Sequence, residues 1–232
     1  MEKKLDKLYK EQWDQSYIRN ENNILYPNSE VVKFLNRYVR KKVDNNAFID
    51  ILNFNEKFKG LDFGCGVARS AILMEEFGIE AYGVDISSAA IKKGKELAYD
   101  YGYASLQSRL TTIDSNKLKY DDNFFDICIA ESCIDSMSFE NASLLINEIA
   151  RVTKKYIYFS VISSEGNGMK ASDKLVEDDH EHGTIQSYYD ENRIHKLTND
   201  LDAKIIFLRK IIETGISDNH FHSRYFVVLE VE

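Results

Sequence analysis

The chain of 232 residues has a single proline and three cysteines, and its eleven glycines are scattered. No Pro-rich or Gly/Ser-rich stretch offers a linker, and no repeat or low-complexity tract interrupts the sequence. Cys65, Cys128 and Cys133 form neither a CxxC pair nor a zinc-type spacing, so neither a disulfide framework nor a structural zinc is expected. No run approaches the ~20 consecutive apolar residues of a membrane span. The opening Met1-Glu2-Lys3-Lys4-Leu5-Asp6-Lys7 lacks the apolar core of a secretion signal. Basic residues are in deficit as well. Thirty Lys and Arg against 38 Asp and Glu leave a net charge of −8, a poor match for a partner held through phosphates. The expectation is a cytoplasmic protein with reduced thiols and neither a nucleic-acid nor a membrane partner.

What is present is enough apolar sequence, 44% of residues, to bury a core. Up to about residue 58 the chain reads as a helical cap. Leu5, Leu8, Tyr9 and Trp13 carry a weak helical period, and Ser29 is placed to cap a helix from Glu30 to about Lys42. In that helix Val31, Phe34, Leu35 and Tyr38 share a face. Ala47 to Phe54 reads as a third helical piece. From residue 59 short apolar runs alternate with amphipathic helices, the pattern of a parallel sheet with helical crossovers. Strands are expected at Gly60–Phe63, Ala81–Val84, Leu110–Ile113, Asp126–Ala130, Tyr156–Ile162, Lys204–Ile212 and Tyr225–Val231. Helices are expected at Ala68–Phe77, Ser88–Tyr101, Phe139–Thr153 and Ile185–Leu201. The last two strands have no helix between them, so the final one should run antiparallel. The expectation is one α/β domain over 1–232, a Rossmann-like core (59–232) behind a helical cap (1–58).

The informative segment is Leu61-Asp62-Phe63-Gly64-Cys65-Gly66-Val67-Ala68-Arg69, which joins the first core strand to the first crossover helix. Gly64 and Gly66 let the backbone turn tightly and let a ligand lie against the main chain, with the small Cys65 between them. Asp85 follows at the end of the second core strand, placed to accept hydrogen bonds from both ribose hydroxyls of an adenosine-type cofactor. A dinucleotide site prefers a third glycine for close helix packing. Here that position is Arg69, which counts against a nicotinamide-dependent oxidoreductase.

On these residues the chain resembles the class I S-adenosylmethionine-dependent methyltransferases, over roughly residues 13 to 232. Asp62, Gly64 and Gly66 match the acid and glycines of the family's first motif, with Ala68 in place of its last glycine. Asp85 matches the ribose acid, and Ile86 the apolar residue flanking adenine. The resemblance places Asp114 against the adenine amino group, and Glu131 and Ser132 beside the methionine part or the substrate. Tyr17 and Tyr26, in the lead-in, are candidates to cover the sulfonium with an aromatic face, and Arg69 to meet the methionine carboxylate. S-adenosylmethionine is the cofactor so implied.

The sequence lacks the Asn/Asp-Pro-Pro-Tyr/Phe motif that receives a planar amine, which argues against DNA-adenine and glutamine methylation. Four of the five histidines fall in two long loops expected at the cofactor end, His180 and His182 after the fifth core strand and His220 and His222 between the last two. Any of the four is a candidate general base for a hydroxyl acceptor. His180 and His182 show no helical ligand spacing, and no metal is expected. The acceptor expected is a small polar metabolite, methylated at oxygen, such as a sugar or an intermediate of surface-polysaccharide synthesis. A small amine acceptor and a cofactor-binding subunit without turnover are the alternatives.

Overall fold

The computed structural model describes residues 2–53, 57–114, 116–165, 169–178, 181–215 and 221–232, with the side chains described from residue 7 onward. The N-terminal segment holds helix α1 (Glu2–Ile18) and helix α2 (Ser29–Phe34), which runs into a π-helical turn at Leu35–Val39. A hairpin of β1 (Arg40–Asp44) and β2 (Ala47–Asp50) follows. The core strands are β3 (Lys59–Phe63), β4 (Glu80–Asp85), β5 (Leu110–Thr112), β6 (Phe125–Ala130) and β7 (Thr153–Ile162). Helices α3 (Arg69–Glu76), α4 (Ser88–Asp100) and α5 (Phe139–Val152) lie between them in the chain. A second small hairpin pairs β8 (Asp173–Leu175) with β9 (Ile185–Ser187), and α6 (Glu191–Thr198), β10 (Ala203–Thr214) and β11 (Phe221–Val231) complete the chain.

The large sheet has the order β10-β11-β7-β6-β3-β4-β5. Six strands are parallel, and β11 runs antiparallel to both neighbours. This is the Rossmann-like sheet expected from the sequence, with its antiparallel last strand. Alternation along the strands splits the core into two layers. Ile127, Ile129 and Tyr158 pack beneath α2, α3 and α4, while Cys128, Ala130 and Phe159 pack beneath α5 and α6. Helices α2, α4, α5 and α6 start where a polar side chain relieves their free N–H groups: Asn28, Ser87, Ser138 and Asp190 each accept from a first-turn backbone N–H, each worth about 1 kcal/mol. Among the described residues no helix is long and apolar enough to cross a membrane.

Three expected elements change. The helix from Glu30 stops at Val39, and the piece expected as a third helix contributes a strand to a hairpin, turning at Asn45-Asn46 between the paired Asp44 and Ala47. Residues 1–58 are therefore not wholly helical. The helix expected from Ile185 begins only at Glu191, because Ile185–Ser187 pairs with Asp173–Leu175 and the Asp190 carboxylate caps the helix there. A short apolar run fits a helix face or a strand equally well; the hydrogen-bond partner decides.

Candidate active site

The parallel strands β3, β4, β6 and β7 end at one edge of the sheet, and β11 begins there, with Arg224 paired to Ile162. The chain leaves β3 toward β4 on one side and returns to β6 on the other. The edge between β3 and β6 is thus a topological switch point, where open α/β sheets bind ligands. Two cavities lie there, of about 410 and 460 Å³.

The turn after β3 forms their floor. Gly64 (φ +67°) and Gly66 (φ +52°) adopt left-handed backbone, and the N–H groups of Gly64 and Cys65 donate to the Val84 carbonyl at 2.8 and 3.0 Å. A Cβ on Gly64 would lie 2.3 Å from the Cys133 sulfur, and one on Gly66 2.4 Å from the Tyr17 hydroxyl. Ala68 takes the left-handed position (φ +66°) immediately before α3. Asp62, 2% exposed, accepts from the Ala71 N–H at 2.9 Å. Burial pushes its carboxyl up to about 7, against the pull of that N–H and of Arg69. Asp85 accepts from the backbone N–H groups of Ser87 and Gly66, both at 2.8 Å. Burial again dominates and raises it to about 6.

The larger cavity is the more apolar. Ile86, Ile113, Met137 and Leu145 line it, with Asp85 and Asp114 at the ends of β4 and just beyond β5. The smaller is polar, lined by Asp62, Arg69, Glu131, Asp135, His222 and Arg224 among others. Glu131, 7% exposed, accepts from the Tyr158 hydroxyl at 2.9 Å. Asp135, 2% exposed, accepts from the Ile162 N–H at 2.8 Å and from Arg224 Nη2 at 2.7 Å. Arg224 also donates to the Ser160 hydroxyl at 3.1 Å. Burial alone would lower the pKa of this guanidinium, but the Asp135 and Glu131 carboxylates beside it outweigh that and raise it. Trp13, Tyr17, Gly64, Ser132 and Ser136 border both cavities.

The residues expected from sequence therefore divide. Asp62, Gly64, Cys65, Gly66, Arg69, Asp85, Ile86, Asp114, Glu131, Ser132, Tyr17 and His222 line one cavity or both. Tyr26 lines neither. The residue is 74% exposed, with its hydroxyl bonded to that of Tyr101; its carbonyl accepts from Arg69 Nη1 at 3.3 Å. His182 is exposed, with Nδ1 3.0 Å from the Glu177 carbonyl, and lines neither cavity. It turns within its own loop. His180 and His220 lie outside the described residues.

Sequence reasoning did not single out Asp14, Gly94, Asp135 or Arg224. Gly94 sits inside α4, where it costs about 1 kcal/mol relative to Ala; a Cβ there would lie 3.2 Å from both Ala68 Cβ and the Val67 carbonyl carbon. A lone glycine in a helical pattern was the available signal of close approach. For Arg224 the signal was its period-two spacing from His222 on a strand beginning at the ligand edge.

A parallel sheet of this order, with an antiparallel strand inserted beside β7 and cavities at its switch point, defines a class: the Rossmann-like fold of class I methyltransferases, which use S-adenosylmethionine. Residues 61–159 match the family described as a methyltransferase domain. The sterol 4-C-methyltransferase of Caenorhabditis elegans is 27% identical over 117 residues. The match takes in 49% of this chain, which thus spans about a third of that relative, 34% of its length. Among solved structures, an S-adenosylmethionine-dependent methyltransferase from Methanosarcina mazei superposes with a TM-score of 0.63 at 19% identity, covering 77% of this chain and 94% of the other. Magnesium protoporphyrin IX methyltransferase from Synechocystis, solved with S-adenosylhomocysteine, gives 0.58 at 18% identity, covering 76% and 75%.

Proposed function

We propose that the protein is a methyltransferase that moves the methyl group of S-adenosylmethionine to a small polar acceptor in the polar cavity, and that residues 1–232 work as one domain. The lining of that cavity carries the reading. Glu131, Asp135, His222 and Arg224 line it, and such polar side chains suit an acceptor that brings hydrogen-bonding groups of its own. A polyhydroxylated acceptor supplies both donors and acceptors. A sugar or an intermediate of surface-polysaccharide synthesis, methylated at oxygen, is the acceptor we favour. All three cysteines are free, which suits the cytoplasm.

The residues fit the cofactor by their chemistry. Asp85 is the acceptor for the ribose hydroxyls, Ile86 the apolar flank of adenine, and Asp114 the acceptor for its amino group. Gly64, Cys65 and Gly66 give the methionine part a bare backbone to lie on. Asp62, Glu131 and Ser132 suit its ammonium, Arg69 its carboxylate, and the Tyr17 ring its sulfonium. S-adenosylmethionine supplies an activated methyl carbon, so the chain has to hold the acceptor and remove its proton. His222 is the described histidine that borders the polar cavity, and we assign it the proton of the acceptor hydroxyl.

One observation favours a second reading. Four carboxylates (Asp62, Glu131, Asp135, Glu181) line the polar cavity against two guanidinium groups (Arg69, Arg224), a balance that suits a small amine. Labelled S-adenosylmethionine offered to separate pools of polyols, amines and lipids tests both. Label in the polyol pool is the expected result, label in amines alone selects the second reading, and label confined to lipids overturns both.

A further inference from the structure

Helix α1 does more than border the cavities. Asp14 Oδ1 accepts from the Ser87 hydroxyl at 2.7 Å and from the Ala89 N–H at 3.0 Å, and the Ser88 hydroxyl lies 3.3 Å from the same oxygen. These donors form the first turn of α4, so a residue 75 positions away supplies capping that helices ordinarily take from their own flank. Its negative charge there also complements the positive end of the helix dipole. Burial works against that charge, but the Ala89 N–H and the two serine hydroxyls outweigh it and hold Asp14 below the usual carboxylate range.

The contact continues into the site. The Ser87 N–H donates to Asp85 Oδ1, and Asp85 Oδ2 receives the Gly66 N–H. Above Gly66 stands the hydroxyl of Tyr17, one turn after Asp14 on α1. The path from Asp14 through Ser87, Asp85, Gly66 and Tyr17 thus returns to the helix it left. A second fastening lies just beyond, where Lys93 Nζ on α4 donates to the Tyr17 carbonyl and the Asn20 side chain. Trp13 and Tyr17, which border both cavities, flank Asp14 in the chain. Whatever loosens Asp14 therefore loosens the wall above both.

We propose that Asp14 is a positioning residue, a latch that holds α1 closed over the cavities and so sets how long a bound cofactor stays. This rests on the reading of Asp85 and Gly64–Gly66 as the cofactor's seat. Lids of this kind act mainly on the rate at which a ligand leaves.

The test uses the full chain and S-adenosylhomocysteine, with dissociation followed by stopped-flow displacement and melting measured without ligand. Asp14→Ala should speed dissociation at least tenfold. Asp14→Asn keeps an oxygen for the Ala89 N–H and the Ser87 hydroxyl, and should recover most of the wild-type rate. A role confined to folding would lower the melting temperature and the active fraction, but leave the dissociation rate of the bound fraction unchanged. If Asp14→Ala does not fold, Lys93→Met cuts the second fastening and should accelerate release in the same sense. Wild-type dissociation in whichever variant folds overturns the latch alone. A wild-type chain that binds no S-adenosylhomocysteine overturns the cofactor reading, and the latch with it.

Discussion

The two cavities share a wall yet were built differently. The apolar one is assembled mostly from short turns at the ends of neighbouring parallel strands, with Asp85 and Ile86 at the end of β4, Ile113 and Asp114 after β5, and Cys133 after β6. The polar one draws together the turn after β3, the turn after β6, the start of β11 and the segment around Glu181 and Gln186. Local sequence sets the first, because a strand and the turn that follows it are contiguous. The second depends on where a distant strand inserts. Under the proposed reading, recognition of the cofactor's adenosine end belongs to the crossover pattern itself, whereas acceptor recognition belongs to the way the last strand returns.

If that division is real, variants should separate binding from turnover. His222 borders only the polar cavity. His222→Ala should lower turnover by about 10²–10⁴ if the imidazole takes the acceptor proton, with S-adenosylhomocysteine affinity nearly unchanged. His182→Ala, in a side chain that faces neither cavity, should turn over as wild type. Steady-state kinetics with the labelled cofactor distinguishes them; equal losses in both would break the comparison.

Asp85 borders only the apolar cavity, and the expected pattern inverts. Asp85→Ala should cost about 2–4 kcal/mol of cofactor affinity, from two hydrogen bonds to a charged group, while turnover at saturating cofactor falls far less. In the wild type, burial places the Asp85 carboxyl near 6. Affinity for the ribose hydroxyls should therefore weaken as pH falls through about 6, approaching tenfold per pH unit. Calorimetry across pH 5 to 8 reads both effects, and a flat profile would remove Asp85 from the ribose.

Gly64 is common to both cavities. Gly64→Ala would combine left-handed backbone with a Cβ 2.3 Å from the Cys133 sulfur, and should cost about 2–3 kcal/mol of stability. Gly102 (φ +86°) has nothing within 4 Å of its would-be Cβ. Gly102→Ala should therefore show only the backbone share, about 1 kcal/mol. Urea midpoints for the pair separate strain from collision.

The smallest effect is expected at Asp62. Its carboxyl is raised to about 7 by burial, so the fold favours the neutral form. The stability this contributes is full below the ordinary carboxyl value of ~3.9 and is lost as pH rises through about 7. Asp62→Asn keeps an oxygen for the Ala71 N–H and removes the buried charge. At pH 8 it should raise the melting temperature by about 2–4 °C, for roughly 1 kcal/mol, with the gap closing toward pH 5. A lower melting temperature at pH 8 would show that the charge is stabilised by more than burial costs it.

Much of the scaffold was legible. Alternating and continuous apolar runs placed the seven core strands because burial on both faces leaves a parallel strand little choice of residue. The hairpin at 40–50 was not read, although Asn45-Asn46 is a turn signal. Its exposed Val43 and Ile49 gave no buried face from which to infer a period. Ile185–Ser187 failed for the same reason, since three residues are too few to carry a period and only pairing with Asp173–Leu175 makes them a strand.

By itself, then, the sequence determined the parallel sheet, the left-handed glycine turn and the acid at the end of β4, because each depends on residues adjacent in the chain and on backbone sterics. Only the tertiary structure decided which of the described histidines faces a cavity, that Tyr26 turns away, that Arg224 meets Asp135, and that Asp14 caps a helix 75 residues on. Those outcomes rest on contacts between segments far apart in sequence. Each such partner is selected by the hydrogen bonds and charges left unmet when the sheet closes its core, a condition no local pattern encodes.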